Sequence, residues 1–261
     1  MLELRDLVKR YRVGEGEPIR AVDGVSLNVG NGELLALYGP SGSGKSTLLD
    51  LVAALLKPDS GEVLFDGLEI SALSEEGAAR YRLHDLGFVS QQADLLPGAL
   101  VIENAALKLW LSDPRRAQAR VRPLLERLGL GDRLKQRAEQ LSAGERQRLT
   151  IALALSTDPR LVLADEPTGS LDSKRGREVL GLLREVCKER GVAMLLATHD
   201  PQAAAFADRV FELRDGRLRP YEPAAVAPGA RAVGGAGAVG VAGSAGPAGV
   251  AGSARAAAGA S

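Results

Sequence analysis

Short apolar runs alternate with longer amphipathic runs along most of this chain, and the alternation predicts its fold class. Three runs are mainly apolar and of strand length: Glu33 to Tyr38, Leu161 to Ala164 and Ala193 to Ala197. Such runs are typical of strands that are buried on both faces of a parallel sheet. Helical periodicity lies between them, notably over Ser173 to Arg190. We therefore predict an α/β core with a mostly parallel sheet.

Two stretches depart from this alternation. From Asp94 to Ser156 the pattern is that of consecutive helices, with strong helix formers over Arg115 to Leu128, a run that Pro123 could divide. We predict a helical subdomain over about residues 94–156, inserted into the α/β core. Further on, Val210 to Leu213 and Arg217 to Arg219 flank an Asp-Gly pair. That arrangement predicts a β-hairpin.

The C-terminal segment, residues 222–261, differs from everything before it. It consists mostly of Ala and Gly, with scattered Val, Ser and Pro, and it has no helical or strand periodicity. Such a composition cannot bury enough surface to offset the entropy that an ordered chain loses. We predict an ordered domain over residues 1–221 and a disordered extension over residues 222–261.

Charge and cysteine content narrow the classes of function. Lys plus Arg and Asp plus Glu are 33 each, so the net charge is +0, and the basic excess of a general nucleic-acid binder is missing. The single cysteine, Cys187, allows no internal disulfide and suits a reducing compartment. The charged N-terminus lacks the apolar core of a signal peptide. No stretch approaches the roughly 20 apolar residues that a membrane helix needs. A role at a membrane would therefore require another chain to supply the membrane part.

A phosphate-binding motif follows the first apolar run. Gly-Pro-Ser-Gly-Ser-Gly-Lys-Ser matches the P-loop pattern and precedes an apolar helix predicted over Thr47 to Leu56. Glycines let backbone N–H groups turn inward around phosphate oxygens, and the helix that starts at about Lys45 points its positive dipole end at the same anion. We predict that Lys45 contacts the β- and γ-phosphates of ATP and that Ser46 offers its hydroxyl to Mg²⁺. The predicted nucleotide-binding set is Gly39, Pro40, Ser41, Gly42, Ser43, Gly44, Lys45, Ser46 and Thr47.

Two adjacent carboxylates end the second apolar run. Asp165 and Glu166 follow Leu161 to Ala164. Taken alone, the pair would fit a helix cap. With a P-loop in the same chain, Asp165 is predicted to hold the Mg²⁺ shell, as in P-loop NTPases generally. Glu166 is then predicted to activate the water that attacks the γ-phosphate.

A third motif narrows the field of P-loop proteins. In Leu-Ser-Ala-Gly-Glu, ending at Glu145, Ser142 and Gly144 are predicted to cap a helix from Glu145 to Leu155 and to leave N–H groups free for an anion. The segment resembles the signature motif of the ATP-binding cassette (ABC) family, usually Leu-Ser-Gly-Gly-Gln. Here Ala143 replaces the first glycine and Glu145 replaces the glutamine, while the Ser142 hydroxyl and the Gly144 backbone remain.

The resemblance to the ABC family covers about Leu2 to Arg219 and implies roles for further residues. Gln91 resembles the Q-loop glutamine, which senses Mg²⁺ and the attacking water. Gly169 to Asp172 resembles the D-loop. His199 resembles the switch histidine, which contacts the γ-phosphate, and Tyr11 resembles the aromatic residue that stacks on adenine.

The same resemblance implies an architecture and partners. It implies a P-loop NTPase (RecA-like) core with an inserted helical subdomain and an N-terminal antiparallel β subdomain, together forming an ABC ATPase domain over residues 1–221. It also implies a head-to-tail homodimer or heterodimer of ATPase subunits, with each ATP between the P-loop of one and the signature of the other. The motion would pass to an integral membrane permease at the cytoplasmic face of the cell membrane.

Three functions stay open on the sequence. The motifs are most similar to those of the lipoprotein-release, macrolide-efflux and cell-division cassettes. A transporter motor is the first interpretation. A non-transport cassette that regulates a membrane complex, as in cell division, is the second, and a soluble ABC protein is the third. A single cassette without a heptad run argues against the third.

Overall fold

Two sheets organise the part of the chain that the computed structural model describes, which is residues 1–12, 18–90, 95–111, 113–169 and 171–221. The larger sheet has six strands in the order β10-β9-β3-β8-β7-β6, and its strands pair in parallel except for the antiparallel hairpin β9-β10. Its strands are β3 (Leu34–Tyr38), β6 (Leu86–Val89), β7 (Leu161–Asp165), β8 (Ala193–Thr198), β9 (Arg209–Arg214) and β10 (Arg217–Pro220). The predicted parallel core and the hairpin are confirmed.

The smaller sheet is antiparallel and has four strands in the order β2-β1-β4-β5. Its strands are β1 (Leu2–Tyr11), β2 (Ile19–Val29), β4 (Ser60–Phe65) and β5 (Leu68–Glu69). The pairing joins distant parts of the chain, since Leu2 lies opposite both Val29 and Phe65. This is the N-terminal antiparallel subdomain that the family resemblance implied.

Strand residues alternate between two hydrophobic cores, which explains why the strands of the larger sheet are apolar throughout. Leu35 and Leu37 point into the core shared with the antiparallel sheet, whereas Leu34 and Ala36 point into the core formed with helices. Successive side chains of a strand face opposite sides of the sheet, so a sheet covered on both faces needs apolar residues at every position.

Seven α-helices and two short 3₁₀ helices accompany the sheets in the described ranges. The α-helices are α1 (Lys45–Val52), α2 (Glu75–His84), α3 (Val101–Trp110), α4 (Ala117–Arg127), α5 (Ala143–Leu155), α6 (Ser173–Arg190) and α7 (Pro201–Ala204), and the 3₁₀ helices are Gly131–Arg133 and Ala138–Gln140. Helices α3, α4 and α5 fall within the stretch predicted as a helical subdomain. None of the helices in these ranges has the length and apolar content that crossing a membrane requires.

Two helix predictions need correction. Pro123 does not divide its helix, because α4 runs through it; a proline removes one backbone donor, and the apolar residues Val121, Leu124 and Leu125 hold the helix by burial. Helix α1 ends at Val52 and not at Leu56, since Ala54 takes a left-handed backbone with φ of 51° that a helix cannot continue.

Candidate functional site

The predicted chemical groups gather at one edge of the parallel sheet. The P-loop follows β3, Asp165 is the last residue of β7, and Thr198 is the last residue of β8. These three strands are parallel, with β8 between β3 and β7. The carboxyl ends of neighbouring parallel strands lie at the same edge, which is where α/β sheets bind ligands.

Glycines in the P-loop are required by close backbone contacts. A Cβ on Gly44 would lie 1.9 Å from the Ala21 carbonyl oxygen, and the φ of Gly44 is 103°, which L-residues rarely adopt. A Cβ on Gly39 would lie 2.3 Å from the Leu213 carbonyl oxygen. Gly44 is the N-cap of α1 and supplies no side-chain acceptor. The first-turn N–H groups of α1 therefore face the loop as donors for an anion.

Lys45 is almost fully buried, with 6% of the residue exposed. Its Nζ donates to the Gly39 carbonyl oxygen at 2.8 Å and to the Pro40 carbonyl oxygen at 3.0 Å. It also lies 3.9 Å from Glu166 Oε1. Burial lowers the pKa of the Lys45 amine, and the negative charges of Glu166 and Asp165 oppose that shift. The ammonium thus lies beside the loop with carboxylates near it.

Glu166 is fixed by groups from the end of β8. Its Oε1 lies 2.8 Å from His199 Nδ1, and its Oε2 accepts from the Thr198 hydroxyl at 3.3 Å. Its backbone N–H donates to the Ala197 carbonyl oxygen at 2.9 Å. The φ of Glu166 is 46°, a left-handed conformation that is uncommon for a residue with a side chain. Such strained residues persist where surrounding contacts determine them, often at functional sites.

A cleft of about 340 Å³ brings most of the predicted nucleotide-binding residues together. That volume falls in the range of small-molecule sites. Tyr11, at the end of β1, lines it with 38% of its surface exposed. The lining residues are Tyr11, Ala21, Ser41, Gly42, Gly44, Lys45, Ser46, Thr47, Asp165 and Glu166.

The signature residues Ser142 and Gly144 are not among the residues that line this cleft. Ser142 is the N-cap of α5, and its hydroxyl accepts from the Glu145 N–H at 3.3 Å. The prediction that the helix begins at Glu145 is wrong: it begins at Ala143, and Gly144 lies inside the first turn and is not a cap. The reason is the extended backbone of Ser142, with ψ of 163°, after which helical geometry starts at once.

Two further predicted elements lie outside the described residues, in whole or in part. Gln91 falls in residues 91–94, and the predicted D-loop includes residue 170.

The structure also places Thr198 in the site, a residue to which no sequence motif assigned a role. Thr198 is 1% exposed, and besides binding Glu166 its hydroxyl accepts from the Asp200 N–H at 3.0 Å. Its position directly before the predicted site residue His199 was the sequence signal that could have identified it.

The parallel sheet, the P-loop at the start of α1 and the paired carboxylates at the end of β7 define a P-loop nucleoside triphosphatase. The ABC transporter family model matches residues 22–169. The lipoprotein-releasing system ATP-binding protein LolD 2 of Caulobacter vibrioides is 46% identical over 84% of this chain and 96% of its own length. The macrolide export ATP-binding/permease protein MacB 1/2 of Paracoccus denitrificans is 44% identical over 84% of this chain and 33% of its own length.

Solved structures agree. A dimeric bacterial ABC transporter cassette has a TM-score of 0.78 at 36% identity and covers 87% of this chain and 100% of its own. A dimeric cassette in a post-hydrolysis state with ADP and phosphate has a TM-score of 0.76, also at 36% identity, over 84% of this chain and 98% of its own. The chain belongs to the ABC transporter family. It is an ATP-binding and ATP-hydrolysing subunit of an ABC transporter.

Proposed function

We propose that this subunit hydrolyses Mg-ATP in a site shared between two ATPase subunits and thereby drives a separate integral membrane permease from the cytoplasmic face of the membrane. The proposal depends on one observation, which is that the predicted site residues fall into two separate groups. One half surrounds the P-loop cleft, and Ser142 and Gly144 of the signature do not line it. A second subunit would complete the site.

The phosphates of ATP would bind at the N-terminus of α1. Backbone N–H groups of the P-loop and the positive end of α1 favour an anion there. The Lys45 ammonium, which bonds to the Gly39 and Pro40 carbonyl oxygens, is within reach of an anion held by the loop. Tyr11 offers an exposed ring at the same cleft, which suits stacking on adenine.

Ser46 and Asp165 fit a magnesium ion. Both line the cleft, and hydroxyl and carboxylate oxygens are ligands that suit Mg²⁺. Proteins often bind Mg²⁺ through one or two side chains together with substrate phosphates. When bound, the ion would neutralise charge on the transferred phosphoryl group. Gln91 is proposed to contact the same ion and the attacking water.

Glu166 is the proposed general base. Its carboxylate would accept a proton from the water that attacks the γ-phosphate, a role that needs a fixed carboxylate within hydrogen-bond reach. The Thr198 hydroxyl and His199 Nδ1 each bond to one of its oxygens, which restricts its rotation. His199 is also proposed to contact the γ-phosphate through its exposed ring, 58% of which is accessible.

The signature helix supplies the second half of the proposed site. Ser142 is exposed, and its hydroxyl accepts from the Glu145 N–H. The N–H groups of Ala143 and Gly144 open α5, where no earlier turn offers them an acceptor. These donors suit a phosphate anion. Two-fold symmetry would then place each signature opposite the partner's P-loop, and the dimeric state of the similar cassettes supports this arrangement.

The names of the relatives favour a transporter motor over the other two functions. A lipoprotein-releasing ATP-binding protein and a macrolide export protein are both similar to this chain over 84% of its length. The membrane protein that co-purifies with the chain from its native membrane would identify the permease.

Subunit complementation tests the shared site. Lys45→Ala removes the charge contact of the P-loop half, and Ser142→Arg puts bulk where a phosphate would meet the signature half. Each variant alone should be inactive in ATP hydrolysis, because both of its sites contain one altered half. A mixed dimer places both alterations in one site and leaves the other intact. Random exchange makes about half the dimers mixed, so activity should return to at most roughly one quarter of wild type if the sites act independently.

One result would contradict the shared site. Substantial ATPase activity of the Ser142→Arg variant alone, at saturating ATP, would mean that the signature is not needed by the partner's site. ATP binding by each variant, measured by calorimetry, serves as the control: Ser142→Arg should still bind ATP, and Lys45→Ala should bind it weakly.

A further inference from the structure

A carboxylate occupies the first turn of the signature helix. Glu145 is the third residue of α5, and its Oε2 accepts from the Ser142 N–H at 2.9 Å, while the Ser142 hydroxyl accepts from the Glu145 N–H. This reciprocal capping box is a stable arrangement for a helix N-terminus. It also brings a negative charge to the helix end that is proposed to meet a phosphate.

A cation is bonded directly to that carboxylate. Arg133, the last residue of the 3₁₀ helix Gly131–Arg133, donates from Nε to Glu145 Oε1 at 2.9 Å. The Glu145 side chain is 19% exposed and the Arg133 side chain 44% exposed. The Ser142 N–H, the Arg133 guanidinium and the Ser142 hydroxyl lower the pKa of Glu145 to about 2, so the carboxylate is ionised at neutral pH.

The negative charge of Glu145 affects how well an anion can bind at the N-terminus of α5. Like charges repel, and the repulsion grows when a dimer interface excludes water. The capping box uses the Ser142 and Glu145 N–H groups, which leaves the Ala143 and Gly144 N–H groups at the start of α5 as donors for the anion. An unneutralised Glu145 would oppose the binding that those donors favour.

We propose that Arg133 is a positioning residue of the signature half-site: by pairing with Glu145 it neutralises the capping carboxylate, so that the N-terminus of α5 accepts the γ-phosphate of the partner's ATP. This inference rests on the proposed shared site. Arg133 acts through Glu145 and does not itself touch the nucleotide. Its effect should therefore depend on whether residue 145 is charged.

ATP-driven dimerisation of the full chain measures the effect apart from catalysis. The parent is Glu166→Gln, which we expect to lose most hydrolysis. The readout is the ATP concentration at half-maximal dimer, followed by size-exclusion chromatography. Adding Arg133→Gln, which can still hydrogen-bond to Glu145 but has no charge, should raise that concentration about 5- to 10-fold. Adding Arg133→Lys, which keeps the charge, should leave it close to the parent value.

Rescue separates charge compensation from a structural tether. Glu145→Gln added to the Arg133→Gln variant removes the carboxylate charge, so the ATP midpoint should return to within about twofold of the parent. If the pair merely held the 3₁₀ helix against α5, the second change would not restore dimerisation. Arg127→Gln is the matched control, because Arg127 pairs with Glu185 and Glu189 on α6 and not with Glu145. It should leave the midpoint unchanged.

The outcomes are distinguishable. A parent that stays monomeric at saturating ATP would overturn the shared site and this inference together. A parent that dimerises, with Arg133→Gln giving the same midpoint or with no rescue by Glu145→Gln, would overturn the role of Arg133 alone. Melting temperatures of all variants show whether any shift reflects loss of fold.

Discussion

Glu166 combines an unfavourable backbone with a tightly held side chain. A left-handed φ costs a non-glycine residue about 1–3 kcal/mol when it is retained in a fold. Here the backbone N–H bonds to Ala197, and Thr198 and His199 each bond to one carboxylate oxygen. The strain and the restraints together aim the carboxylate at the cleft that Lys45 also lines.

We predict that Glu166→Gln keeps ATP binding and loses most hydrolysis. Gln has the same shape but cannot accept a proton from water, and a general base contributes about 10²- to 10⁴-fold. Phosphate release measures the loss, and calorimetry measures ATP binding. Glu178→Gln, at an exposed position of α6, is the matched control and should turn over like wild type. Wild-type turnover in Glu166→Gln would refute its role as the base.

At the scale of elements, the join between β3 and α1 depends on how closely the P-loop lies against β2 and β9. Gly44 contacts the Ala21 backbone of β2, and Gly39 contacts the Leu213 backbone of β9. These contacts leave no room for a side chain on either residue. The loop is thus held from outside, and the donors of the α1 N-terminus face the cleft.

Three glycine-to-alanine substitutions should rank in stability. Gly181→Ala, in the interior of α6 with nothing near its Cβ position, should stabilise by up to about 1 kcal/mol, because alanine is the better helix former. Gly42→Ala has open space but a φ of 80°, and it should destabilise by about 1–2 kcal/mol. Gly44→Ala adds the clash with Ala21 and should destabilise the most. Urea unfolding measures the order, and a Gly44→Ala variant as stable as Gly42→Ala would contradict it.

At the scale of the whole molecule, the end of the described chain packs beside the functional site. The ring of Tyr221 lies 4.7 Å from the ring of Tyr38, centroid to centroid, and Tyr38 directly precedes the P-loop. The Tyr221 N–H also donates to the Val210 carbonyl oxygen at 3.1 Å. Tyr221 is therefore a packing residue of the compact unit that contains the P-loop.

Two truncations one residue apart test where the domain ends. Removing residues 222–261 should leave ATPase activity and melting temperature nearly unchanged, because that Ala- and Gly-rich composition is predicted to bury little surface. Removing Tyr221 as well deletes the ring pair with Tyr38, and we expect a loss of about 1 kcal/mol, or about 2–4 °C in melting temperature. A fall of many degrees on the first truncation would show that residues 222–261 pack on the domain.

Local patterns in the sequence determined much of this protein. The buried strands around the site, the bounds of α6 and the order of P-loop, signature and carboxylates were all readable, because hydrophobic period and motif spacing are properties of neighbouring residues. The carboxyl-end position of Asp165 followed from strand direction alone. The N-terminal antiparallel sheet came only from the family resemblance.

Tertiary structure decided the contacts between residues far apart in the chain. Thr198 bonds to Glu166 because β8 lies beside β7, and Glu145 bonds to Arg133 because the fold brings the 3₁₀ helix Gly131–Arg133 within hydrogen-bond reach of the start of α5. Strand β1 pairs with β4 across about 60 residues, as in Leu2 opposite Phe65. The periodicity of the sequence does not indicate such pairings. They arise from the burial of distant surfaces against one another, and from the hydrogen bonds that form once those surfaces meet.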